Sequence, residues 1–378
     1  MNKFEVNNLK RNLNKKKRSL KTYIVSIFLT IYCILLSGCG ISGTVGQNSS
    51  KVSDEKDTRP LVVTTIFPYY DFVRQIAGDR VRLKMVVPAG MDSHSFEPTP
   101  ADIRTIQHAD ILISNGGTME HWLDETLAAL DTTNMTIVTM MDYVDTVEEE
   151  IVEGMEDADH DHDHAHVHAA DDHDHSNETP EEHAAHAHEA DDHDYVDHDG
   201  HEEEIEYDEH IWTSPVIAKD LLYVTRDAII QADPANAATY QKNADAYAAQ
   251  LDALNESFTD YFAEPEHRTL LFADKFPLQY FANTYGLHCY AAFSGCSSDT
   301  EPSIATISNL MHLVESDHLS KVYYLEVSSP AVANVIGEQT GATPTVFQSC
   351  HTLTQTDFDN GETYVSLMQR NLKALESQ

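Results

Sequence analysis

The chain has 378 residues and carries 24 Lys/Arg against 63 Asp/Glu, a formal charge of −39. So acidic a surface repels nucleic acid and anionic headgroups while concentrating cations, which excludes a polyanion-binding role and points to cation handling. The length suits two domains of ordinary size rather than one small core.

The N-terminus is basic, with Lys15, Lys16, Lys17, Arg18 and Lys21 ahead of an apolar run from Tyr23 to Leu36. That is the order of a signal peptide, and the run is too short to be a membrane-spanning helix. It closes on Leu36-Ser37-Gly38-Cys39, which resembles the bacterial lipobox. Residues 1–38 are expected to be removed, leaving Cys39 as a lipidated first residue and residues 39–60, rich in Ser, Gly and Asp, as a flexible tether. The protein is then expected on the outer face of a cell membrane. An uncleaved signal anchor is the alternative.

From residue 61 the pattern alternates. Leu61 to Ile66 reads as a buried strand, and Pro68 opens a helix ending at Gly78. Val81 to Val87 is a second strand, followed by a helix that Thr99 caps and Pro100 begins. Ala109 to Ser114 is a third strand, and Glu120 to Leu130 a helix. This N-terminal α/β lobe spans 61–232 and is interrupted at 148–209 by a tract with 27 Asp/Glu, 13 His and no Lys or Arg. Such a composition cannot bury enough apolar surface to offset its ordering entropy, so a disordered loop is expected.

Beyond the tract, Ile211 to Ala232 reads as a helix entered at Ser214-Pro215. In residues 233–264, Tyr240, Ala244, Tyr247, Leu251, Leu254 and Phe258 recur at three- and four-residue steps, the stripe of a long amphipathic helix suited to connect two lobes. A C-terminal lobe, 265–378, repeats the alternation: strands at Thr269–Phe272, His288–Phe293, Lys321–Leu325 and Val346–Phe347, helices at Pro277–Tyr285, Ile304–Ser316, Pro330–Thr340 and the C-terminus. The fold class is α/β, two lobes with parallel-sheet cores joined by a rigid helix. Ligands bind at the carboxyl ends of such strands, so the cleft between the lobes is the expected site.

Two motifs stand at cleft-facing positions. Val87-Pro88-Ala89-Gly90-Met91-Asp92-Ser93-His94 puts a histidine just past a strand, and Asp208-Glu209-His210-Ile211-Trp212-Thr213-Ser214-Pro215 fixes another at a helix entry beside an aromatic wall. Alone, either histidine reads equally well as a loop residue. Together they resemble the metal-binding solute proteins of ABC importers, cluster A-I (solute-binding protein family 9), in particular the zinc branch. There a proline-glycine loop carries the first ligand histidine and a His-Ile-Trp-x-Ser-Pro motif the second. The resemblance covers nearly the whole chain and implies two α/β lobes holding Zn²⁺ between them, delivery to the membrane subunits of an ABC permease, action as a monomer, and no enzymatic activity.

The resemblance is incomplete. Where zinc members carry a third histidine after the first strand of the second lobe, this chain has Phe272-Ala273-Asp274-Lys275-Phe276-Pro277, with Ala273 at the histidine position. Family members often take a last ligand from the loop after the late strand, which makes His351 the expected third ligand and Asp274, Glu301 or a water the fourth. Cys296 and Cys350 are the expected disulfide; unpaired, the Cys350 thiolate would compete as a zinc ligand.

The acidic tract pairs imidazoles with carboxylates and is expected to bind metal as an auxiliary scavenger through His160, His162, His164, His166, His168, His173, His175, His183, His186, His188, His193, His198 and His201. A plain solvated spacer is the alternative. Manganese or iron is the rival cargo, favoured if Asp274 and Glu301 ligate. A metallohydrolase or an adhesin is the rival class; the sequence has no HExxH, Gly-x-Ser-x-Gly or phosphate-cradling glycine loop.

Overall fold

The computed structural model describes residues 57–150, 207–295 and 302–377. The expectations for residues 1–56, for Cys39, for the thirteen histidines of the acidic tract, and for Cys296 and Glu301 lie outside the described residues.

The first lobe is built from β1 (Leu61–Thr64), α1 (Phe67–Ala77), β2 (Arg82–Met85), α2 (Pro100–Gln107), β3 (Ile111–Ser114), α3 (His121–Ala128) and β4 (Thr136–Thr139). Its strands pair in parallel in the order β2-β1-β3-β4. The central strands β1 and β3 are buried at every residue, as a sheet covered on both faces requires. Thr99 and Asp102 form a reciprocal capping box at the start of α2, with Pro100 at the first helical position. Strand β4 has no counterpart among the expected elements. It is an edge strand with one fully buried residue, Val138, so it lacks the apolar run by which its neighbours declare themselves.

Helix α4 (Pro215–Ala232) leads into α5 (Ala237–Tyr261), whose 25 residues span about 37 Å at ~1.5 Å per residue. All six residues of the expected stripe on α5 are buried, joined by Ala248. The second lobe follows: β5 (Thr269–Phe276), α6 (Gln279–Tyr285), β6 (His288–Ser294), α7 (Ile304–Ser316), β7 (Lys321–Leu325), α8 (Ala331–Thr340), β8 (Thr343–Phe347), α9 (Gln355–Asp359) and α10 (Tyr364–Glu376). Its sheet is again parallel, in the order β6-β5-β7-β8, repeating the topology of the first. Strand β5 runs four residues beyond its expected end and takes in Asp274 and Lys275, with a break in register between Phe272 and Lys275.

One hydrophobic core runs through both lobes. It joins Val62 and Ile113 of the first sheet to Leu251 and Phe258 of α5 and on to Phe272 and Phe347 of the second sheet, while a smaller core of Leu271, Leu310, Val322 and Ile336 lies on the second sheet's other face. A buried carboxylate ties three helices together at the centre. Asp71 of α1 receives the Tyr247 hydroxyl of α5 at 2.6 Å and the Tyr364 backbone N–H of α10 at 2.8 Å. It also holds Arg74 at 2.6 Å and the Gln75 amide at 2.9 Å. Removing one partner of such a buried network strands the others. Asp71→Ala is therefore expected to lower the unfolding free energy by about 3–5 kcal/mol, measured by urea denaturation.

Candidate metal centre

Segments that follow strands of both sheets line one cavity, among them Gly90, Asp92 and His94 after β2, Gly295 after β6, Glu326 to Ser329 after β7 and Ser349, His351 and Thr352 after β8. His94, His210 and His351 meet there, one ligand atom of each lying within 4.8 Å of the others, the one group of three or more potential ligand residues among the described residues. Their ring centres form a nearly equilateral triangle with sides of 5.6, 5.8 and 5.8 Å.

Each histidine is set by the same local device. The Asp92 carboxylate accepts the His94 backbone N–H at 3.0 Å, Asp208 accepts that of His210 at 2.7 Å, and the Ser349 hydroxyl accepts that of His351 at 3.2 Å. In each case an oxygen two residues earlier closes an Asx- or Ser-type turn and aims the imidazole. The supports are themselves held: Ser349 gives its N–H and its hydroxyl to Glu326 at 2.8 and 2.9 Å. Glu209 accepts the N–H groups of Thr118 and Met119, which binds the segment before His210 to the loop after β3. Trp212 donates its indole N–H to the Ser349 carbonyl at 2.9 Å and packs its ring against His210 and His351.

The electrostatics of the three rings differ. Burial, then the charge of His210, lowers His94 to about 4. Burial and the two other imidazoles lower His351 to about 3. For His210 burial also opposes the charge, but Asp208, whose carboxylate lies 3.3 Å from Nδ1, outweighs it and the value rises above the ordinary 6.5. At neutral pH two of the rings are therefore neutral donors. His94 Nε2 is buried without a hydrogen-bond partner among the described residues, while His351 Nε2 sits 2.5 Å from Ser93 Oγ. Two Zn–N bonds of about 2.0–2.1 Å at a tetrahedral angle put their nitrogens about 3.4 Å apart, so a small contraction of this triangle accommodates the ion.

Other expected site residues fall elsewhere. Asp274 lines the same cavity, but its two oxygens accept the backbone N–H groups of Lys275 (2.8 Å) and Leu325 (2.9 Å); it braces β5 against β7 across the register break and does not join the histidines. Cys350 is a free thiol and not half of a disulfide: it takes a left-handed backbone (φ 58°) and is wholly buried in the core. Burial, then the charges of Glu326 and Asp71, push its thiol well above the ordinary value, and its sulfur does not join the group formed by the three histidines. Sequence reasoning passed over Glu326, Ser93 and Lys275. The Asp-x-His, Asp-x-His and Ser-x-His spacing was the available signal for the supports.

Gly117, at φ 79°, faces Glu209 so closely that an added Cβ would collide with the carboxylate. Gly117→Ala should lower thermal stability by more than the strain of about 1–3 kcal/mol that its backbone alone imposes. In a Glu209→Ala background only that strain should remain, so a double-mutant cycle should show the two changes to be less than additive.

The family model described as zinc-uptake complex component A, periplasmic (ZnuA) matches residues 62–378. The chain is 29% identical to the zinc-binding lipoprotein AdcA of Streptococcus pneumoniae serotype 4 over 93% of its own length and 60% of that protein's, so it spans about three fifths of that relative. It is 29% identical to the high-affinity zinc uptake system protein ZnuA of Bacillus subtilis, over 93% of this chain and 96% of that one. Among solved structures, the Zn(II)-bound ZnuA-like domain of Streptococcus pneumoniae AdcA superposes with a TM-score of 0.60 at 26% identity, covering 84% of this chain and 97% of that domain. The metal-dependent lipoprotein YcdH of Bacillus subtilis gives 0.62 at 25% identity, with coverage of 84% and 97%. With the match running from β1 to the end of the chain, this protein belongs to the ZnuA family of zinc-uptake components.

Proposed function

We propose that the protein binds one zinc ion between its lobes through His94, His210 and His351, outside the cytoplasmic membrane, and delivers it to the membrane subunits of an ABC importer. The observation that carries this reading is the triangle of imidazoles, His210 buried and His94 and His351 partly buried, with no carboxylate among its donors. Imidazole nitrogen suits zinc, whereas manganese favours more oxygen ligands. Relatives named zinc-binding and high-affinity zinc uptake proteins support the same cargo. Lipidation at Cys39 would keep the protein at the membrane face, and it acts as a monomer by binding and release, not by catalysis. The thirteen histidines of the acidic tract serve as an auxiliary, lower-affinity store.

Calorimetric titration of metal-free protein lacking residues 151–206 should give one zinc per chain, and His351→Ala should weaken it by more than about a hundredfold, beyond the 10–100-fold typical of a change outside the coordination shell. Undiminished affinity in that variant would remove His351 from the site.

The pH dependence follows from the three rings. Zinc requires neutral imidazoles, and only His210, raised by Asp208, holds a proton that must be displaced near pH 6. Zinc affinity should thus fall about tenfold per pH unit as pH drops below the His210 value, a slope of one proton rather than three. The slope should steepen only near pH 4, where His94 begins to protonate. Calorimetry between pH 4 and 7.5 reads this directly.

A further inference from the structure

The three histidines complete only three corners of a zinc tetrahedron, and among the described residues most of the carboxylate oxygens around them are already engaged. Both oxygens of Asp274 are bound to backbone N–H groups, both oxygens of Glu326 to Ser349, and one oxygen of Asp92 to the backbone of His94, while the other Asp92 oxygen faces Lys275 at 3.7 Å and stands outside the histidine group. The site opens instead into a cavity of about 610 Å³ that extends over the second lobe past the small side chain of Ala273 to Leu325 and the first turn of α8. A water occupies about 30 Å³, and pockets that hold small organic ligands run from about 300 to 1,000 Å³. The space is on the scale of an organic molecule, far beyond a metal-bound water.

Lys275 is the one cation among the described residues lining this cavity. Its side chain is 20% exposed, and its Nζ lies 3.7 Å from Asp92 Oδ2, an ion pair longer than the 2.7–3.2 Å of a hydrogen bond. The ammonium thus has donors unspent, and it faces the place where a dication would sit. A bare Zn²⁺ held by three neutral imidazoles would repel it. A carboxylate between the two would ligate the metal on one side and accept hydrogen bonds from Lys275 on the other.

We infer that the cleft takes zinc together with a small carboxylate chelator of the amino-acid or hydroxy-acid class, whose carboxylate bridges the metal and Lys275 and whose body fills the cavity beyond Ala273. This rests on the reading of the three histidines as zinc ligands. It also gives the departure at Ala273 a purpose: removing a ring from that position makes room for the chelator.

Equilibrium dialysis of the full chain with one equivalent of zinc and radiolabelled glycine, L-histidine or citrate tests it. The expected result is close to one molecule of at least one of these acids retained per bound zinc by the wild-type chain. Retention per zinc should be at least tenfold lower in Lys275→Met, be restored by Lys275→Arg, and vanish when zinc is omitted. Equal retention in the wild-type and Lys275→Met chains, whether none or one, would overturn the inference, since the acidic tract is the same in both. Zinc content of the same samples separates this failure from that of the underlying reading, which falls if the wild-type chain holds no more zinc than a chain in which His94, His210 and His351 are all alanine.

Discussion

Everything distinctive about the cleft depends on holding three imidazoles together, one buried and two partly buried, where each gives up hydration that only a shared ligand can replace. The turns around Asp92, Asp208 and Ser349 supply the constraint: each spends a side-chain oxygen on the backbone N–H two residues on. The rings thereby reach one point from three separate segments, after β2, before α4 and after β8. Because the three supports come from both lobes, the site exists only when the lobes are correctly seated against each other.

That seating is done by the core and by Asp71. Because the core is continuous from the first sheet through α5 into the second, separating the lobes would expose apolar surface to water, which opposes it. Asp71 adds a polar bond from α1 to both α5 and α10 at the same junction. Direct bonds across the cleft reinforce it, including Gly90 N–H to the Thr352 hydroxyl at 3.1 Å and Ser93 with His351. A site preorganised in this way spends little of its binding energy on rearrangement, and selectivity then comes from donor chemistry and fit.

Much of this was legible in the sequence, for identifiable reasons. The helices with strong periodicity, α5 above all, and the central strands with unbroken apolar runs declared themselves through burial, which leaves a direct mark on residue type. His94 and His210 stood out because their motifs are long. His351 was recovered from the resemblance, and the structure brings it to the other two. The failures have the opposite character. Strand β4 is half exposed and leaves no pattern. Asp274, one of three candidates for a fourth ligand beside Glu301 and a water, braces β7, because β5 continues through a register break that a single sequence does not reveal. Cys350 was paired by counting cysteines, whereas its left-handed backbone turns the thiol into the core. Lys275 carries no signal in the sequence; the fold places it on the cavity that the histidines line, beside Asp92.

One further feature bears on how such a protein can change over time. Glu148 and Tyr207 form an antiparallel bridge, and both flanks of the acidic tract are fastened to α6: Gln279 bonds the backbone of Glu148 and Glu150, and the Tyr280 hydroxyl bonds that of Val147 and Asp208. With the two ends fixed side by side, doubling the length of chain between them adds only about 0.6 kcal/mol of closure entropy. Descendants of this sequence can lengthen, shorten or recompose the tract almost freely, while Gln279, Tyr280 and the few residues they hold, two positions from His210, tolerate far less drift.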